Sequence, residues 1–192
     1  MPITHTNRKG KTYYLHQGTT RTGKPNYFFA LYDEGNLVDT IPPGYEIYEN
    51  PNGQVFLRKI RPQLITPEEI ATVETGIQQH TRLESHIIDV KKDTIFIYTP
   101  DQDVYTSSQF FKMFPRASVE QFTASIQRHR TYSAMLKFIL VNKKERLFQT
   151  HRYSFRGPVD DWISIGGHAK LPDLVSTYVP HLGEDSFYNL YY

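Results

Sequence analysis

Short runs of alternating apolar and polar residues, broken by glycine and proline every few positions, occupy residues 1–62. In Lys11 to Thr20, Tyr13 and Leu15 fall on one side of an extended chain and Tyr14 and His16 on the other, the period of a strand. Thr22-Gly23-Lys24-Pro25-Asn26 turns the chain, and Tyr27 to Tyr32 returns apolar on both faces, which predicts a central strand. Pro42-Pro43-Gly44 breaks the pattern before a strand over Tyr45 to Tyr48. Asn50-Pro51-Asn52-Gly53 is a tight turn, because Asn and Gly tolerate positive φ and Pro presets its own, and Gln54 to Lys59 pairs back. Residues 1–62 therefore read as a β-rich subdomain built as a small antiparallel meander.

The period changes after Ile65. Thr66-Pro67-Glu68-Glu69 is a helix start: Thr caps, Pro takes the first turn, and a Glu stands three residues after the cap. Ile70, Val73 and Ile77 then make one apolar stripe ending near His80. A hairpin follows, Ser85 to Val90 and Thr94 to Thr99, turning at Lys91-Lys92-Asp93. Beyond a polar loop and a short helical piece around Phe110, Phe111 and Phe114, Ser118 opens a second helix with Val119, Phe122 and Ile126 as its stripe. Tyr132 to Asn142 and Leu147 to Phe155 form a second hairpin, and a last helix runs from about Pro172 to Val179. Gly166-Gly167 reads as a flexible turn. The tail from Phe187 to Tyr192 is aromatic enough to pack on the body.

Two stretches look alike. Ile77-Gln78-Gln79-His80 matches Ile126-Gln127-Arg128-His129, and Lys91-Lys92-Asp93-Thr94-Ile95-Phe96 matches Lys143-Lys144-Glu145-Arg146-Leu147-Phe148. The spans 66–99 and 117–150 thus suggest an internal duplication within a 63–192 subdomain. The fold class expected is α+β: an amino-terminal antiparallel meander, then a helix–hairpin–helix–hairpin–helix unit with its helices on one face of an antiparallel sheet. That element order also occurs in LAGLIDADG homing endonucleases. The small and acidic residues their signature needs at a helix end are absent, since these helices end Gln79-His80 and Arg128-His129. The comparison is topological and implies no activity.

Composition narrows the chemistry. The 192 residues contain no cysteine, so disulfides, thiolate zinc sites and a Cys nucleophile are excluded. The polar, basic start is unlike a signal peptide, and no apolar run, Phe138 to Val141 included, is long enough to span a bilayer. These features lead to the expectation of a soluble cytoplasmic protein with no membrane partner. The formal net charge is only +2, but Arg8, Lys9, Lys11, Arg21 and Lys24 all precede the first acid, Asp33. Such an arm attracts phosphate or an acidic surface.

Enzyme signatures are weak. There is no phosphate loop, no dinucleotide fingerprint and no Gly-x-Ser-x-Gly. The eight histidines form no metal-binding spacing, and Asp89-x-Lys91 lacks the partner acid that a metal-dependent nuclease requires. No cofactor is expected. The best binding candidate is Arg152-Tyr153-Ser154-Phe155-Arg156-Gly157, read as part of a strand. Arg146, Phe148, Arg152, Ser154 and Arg156 share one face, and Leu147, Gln149, His151, Tyr153 and Phe155 the other. Cations interleaved with an aromatic suit a phosphate backbone and a stacked base. The only Trp, in Asp160-Asp161-Trp162, reads as a buried anchor. The function expected is a non-enzymatic binding module contacting nucleic acid through Arg8, Lys9, Lys11, Arg21, Lys24, Arg146, Phe148, Arg152 and Arg156. The alternatives are a Tyr/Phe-rich surface that binds another protein or a second copy of the chain, and a metal-dependent hydrolase or nuclease whose ligands, among them His80, His129 and His151, converge only in space.

Overall fold

A computed structural model describes residues 1–101, 130–155 and 160–190. They divide between two compact units. The described residues of one are 1–61 with 130–131, and the other joins 62–101 to 132–190.

In the first unit, β1 (Thr4–Thr6), β2 (Thr12–Thr19) and β3 (Pro25–Ala30) form an antiparallel sheet in chain order, and β4 (Tyr45–Glu49) pairs with β5 (Val55–Lys59) as a separate hairpin. The expected central strand is therefore an edge strand, and its Phe28 stays 39% exposed. Few apolar side chains among the described residues of this unit are buried, Leu15, Pro51 and Val55, so polar contacts carry much of the assembly. Asn7, itself buried, donates from Nδ2 to the Gly53 carbonyl at 2.5 Å and accepts at Oδ1 from the Lys9 and Lys11 backbone N–H groups. Glu49 accepts from the Arg8 side chain at 2.6 Å and from the Arg8 backbone at 3.0 Å, and pairs with His5 at 3.1 Å. Burial opposes ionisation of Glu49, but these hydrogen bonds outweigh it and hold its pKa below the ordinary value.

In the second unit, α1 (Pro67–His80) starts where the capping box places it. The Thr66 side chain accepts from the Glu69 N–H, and the Glu69 carboxylate accepts from the Thr66 N–H. The strands β6 (Ile87–Lys91), β7 (Thr94–Pro100), β8 (Tyr132–Asn142), β9 (Leu147–Ser154) and β10 (Asp161–Lys170) form one antiparallel sheet in unbroken chain order. A short helix, α2 (Leu171–Tyr178), and two 3-10 turns, Val179–His181 and Asp185–Asn189, close the chain. Val73 and Ile77 of α1, Leu174 and Val175 of α2, and Phe187 share a core with Ile95, Ile97, Leu136, Phe138, Phe148 and Ile165 of the sheet.

This architecture overturns the expected α+β fold. The described residues are 44% strand and 19% helical, with two α-helices and three sheets, and no helix–hairpin–helix–hairpin–helix unit is present among them. The two hairpins join edge to edge through β7–β8 pairing, from Thr94 opposite Ile139 to Pro100 opposite Tyr132. A fifth strand, β10, was not anticipated. Gly166-Gly167 lies inside it, where the register with β9 shifts between Ile165 and Ala169. A bulge of this kind interrupts pairing without ending the strand. Gly166 holds φ +68, and a Cβ there would meet the Tyr178 hydroxyl at 1.8 Å, so backbone conformation and space both require glycine. The second helix of the expected unit, 118–129, and the piece around Phe110 to Phe114 lie outside the described residues.

Candidate nucleic-acid interface

Strand alternation divides the sheet of the second unit into two faces. On β9, Phe148, Thr150, Arg152 and Ser154 are buried, while Leu147, Gln149, His151 and Tyr153 are half-exposed. The face read as cationic and aromatic is thus the one turned to the core. Phe148 is fully buried and Arg152 is 1% exposed. Arg152 donates to the Leu190 carbonyl at 2.7 Å and to that of Tyr188 at 3.3 Å, so its guanidinium tethers the tail. Arg146, at the turn before β9, makes a bidentate pair with Glu69 and donates to the Leu64 carbonyl at 3.1 Å. It fixes the amino end of α1 to the sheet. Arg156 lies outside the described residues.

The basic residues of the first unit do not form one patch either. Lys9 and Lys11 border the β1–β2 turn, and Arg21 and Lys24 the β2–β3 turn, at opposite ends of β2. At about 3.3 Å per residue the two ends are roughly 25–30 Å apart. Arg8 is engaged by Glu49.

The outer face of the five-stranded sheet carries a different set of groups. Register places Asp89, Phe96, Lys137, His151 and Ser164 side by side, one per strand from β6 to β10. Tyr153 faces Trp162 on the next pair of β9 and β10. The rings contact edge to face: Phe96 with Trp162 at 5.9 Å and Tyr153 with Trp162 at 5.3 Å between centroids. Phe96 and Trp162 stand three strand spacings apart, about 14 Å of sheet. Both side chains therefore lean inward over β8 and β9 to meet.

The Lys137 ammonium lies over both rings, 4.2 Å from the Trp162 centroid and 5.9 Å from that of Phe96. Lys91 sits 5.1 Å from the Phe96 ring and pairs with Asp89 at 3.3 Å. Burial lowers the Lys137 pKa, and the Asp161 carboxylate opposes the shift. Burial, then the Lys137 charge, lowers the pKa of His151. The His151 Nε2 is buried and has no hydrogen-bond partner among the described residues, while the neighbouring Ser164 hydroxyl accepts from Gln149 at 2.8 Å.

This platform of two lysines, a histidine and three aromatic rings can stack planar groups and meet anionic ones. Sequence reasoning put His151 and Tyr153 on the right strand but missed Phe96, Lys137 and Trp162 as site residues. Only the register of five strands brings them together. Trp162 is half-buried on the outer face rather than fixed in the core. Among the described residues, no group of three His, Asp or Glu side chains is placed to hold a metal ion. No helix among them is long and apolar enough to cross a membrane. No protein-family model matches this chain, and no curated protein or solved structure is significantly similar to it.

Proposed function

We propose that this protein binds single-stranded nucleic acid without catalysis, through the outer face of its five-stranded sheet. Bases stack on Phe96, Trp162 and Tyr153, and Lys91 and Lys137 meet the phosphates. The observation that supports this most is the Lys137 ammonium 4.2 Å above the Trp162 ring, inside an aromatic cluster drawn from three strands. A base stacking on Trp162 takes that place and turns the ammonium outward toward the backbone of the same strand. Single strands suit the arrangement because their bases are free to leave one another and stack on protein rings.

The test is fluorescence anisotropy with labelled single- and double-stranded oligonucleotides. Removing one stacking ring is worth about 1–3 kcal/mol. Trp162→Ala is therefore expected to weaken single-strand binding roughly tenfold or more, with Phe56→Ala, on β5 of the first unit, as an unaffected control. Equal affinity of Trp162→Ala and the unaltered protein would remove the platform from the reading.

A second reading rests on the first unit. Phe28 (39% exposed) and Tyr32 (55% exposed) flank the buried His16 ring at 5.4 and 4.5 Å, with the exposed Leu31 beside them. This apolar patch suits self-association. Sedimentation of the unaltered chain and of Tyr32→Ser tests it: a dimer that dissociates in the variant supports the reading, and a monomer at all concentrations rejects it.

A further inference from the structure

We propose that His151 is the specificity-determining residue of this platform, its Nε2 hydrogen-bonding the edge of the base that stacks on Trp162. The inference rests on the single-strand reading and goes beyond it, since stacking alone tolerates every base. Three observations converge on this atom. Nε2 is a buried polar nitrogen with no partner among the described residues, and such a group is costly to leave unsatisfied. It lies on β9 between Lys137 and Ser164, in the row over which Phe96 and Trp162 lean. Its polar neighbour on β10, Ser164, is already engaged by Gln149.

The lowered pKa of His151 keeps the ring neutral at and above pH 7. A neutral imidazole offers one N–H and one bare nitrogen, so Nε2 either donates or accepts, but not both. A phosphate would need a second cation there, whereas a base edge needs one directed hydrogen bond. When a base enters, Phe96 and Trp162 must part to stack on it. The same movement uncovers Nε2 against the base's polar edge. Bases that present the complementary group satisfy it, and the others leave it unpaired.

The experiment measures affinities of labelled homopolymers of roughly a dozen nucleotides, a length in the range a single platform covers. Oligo(dT), oligo(dC), oligo(dA) and an abasic strand of equal charge are compared for the unaltered protein, His151→Phe and His151→Gln. One directed hydrogen bond supports about tenfold discrimination between the best and worst base. In His151→Phe that ratio is expected to collapse to about twofold or less, and the urea midpoint of the variant reports separately on folding. His151→Gln keeps a hydrogen-bonding group and should retain part of the ratio, whereas a merely structural histidine would change all strands alike. Base preference unaltered in His151→Phe would overturn this assignment and leave the single-strand reading standing. Absence of binding to every strand by the unaltered protein would overturn both.

Discussion

At the scale of the residue, His151 and Arg152 show how one step along a strand separates two kinds of work. Arg152 points to the core, where an isolated guanidinium would be very costly, and is tolerated because the carbonyls of Tyr188 and Leu190 accept its hydrogen bonds. Those partners lie 36 and 38 residues further on, so no local pattern announces them. The alternation on β9 was legible in the sequence, but not which face was inside. His151 points the other way and carries a pH dependence. Unfolded, it titrates near its ordinary pKa of 6.5; folded, burial and Lys137 hold it lower. The unfolded chain therefore takes up the proton first as pH falls. The stability at stake is complete above about pH 6.5 and is lost as pH falls from there through the lower folded pKa. Urea midpoints between about pH 8 and pH 5 should show this loss in the unaltered protein and a smaller one in His151→Phe. Parallel curves for the two proteins would contradict it.

At the scale of the element, α1 was the most legible part of the chain. Its cap, its proline and its stripe are all local signals, and Val73 and Ile77 are buried as the stripe requires. The strand β10 was the least legible, because Gly166-Gly167 carries the composition of a turn. Only pairing with β9 and the Tyr178 hydroxyl explain why glycine is needed there. Gly76 was equally silent. It sits mid-helix, where alanine would ordinarily add about 1 kcal/mol of stability. Here a Cβ would lie 2.1 Å from Val175 Cγ1, in the contact between α1 and α2. Overpacking of this kind costs about 1–3 kcal/mol, so Gly76→Ala should lower stability despite its helix propensity. In a Val175→Ala background the clash is gone, and the same substitution should become neutral or stabilising. A double-mutant cycle of denaturant midpoints measures the difference, and additive effects would reject the contact as the cause.

At the scale of the whole molecule, charge is spread thinly. The net charge of +2 and the two lysines of the platform predict a shallow salt dependence rather than a steep one. Each phosphate contact on a single strand contributes a slope of about 0.7 in log affinity against log salt. Lys91→Ala and Lys137→Ala should each reduce the slope by about that amount, whereas Arg21→Ala with Lys24→Ala tests whether the hairpin tip of the first unit adds to it. Unchanged slopes in both platform variants would place the phosphates elsewhere.

The order of strands has a consequence for synthesis. Hairpins such as β4–β5 close within a few residues of their own turn, so they can form soon after they emerge. The five-stranded sheet cannot. Its β7 must wait for β8, because Pro100 pairs with Tyr132, and its outer strand is not complete until Lys170 has been made. Until then Ile95, Ile97 and the apolar stripe of α1 have no sheet to cover them. A ribosome that pauses between those points holds a chain whose first hairpins are finished and whose largest apolar surface is bare, the state in which a chaperone has most to bind.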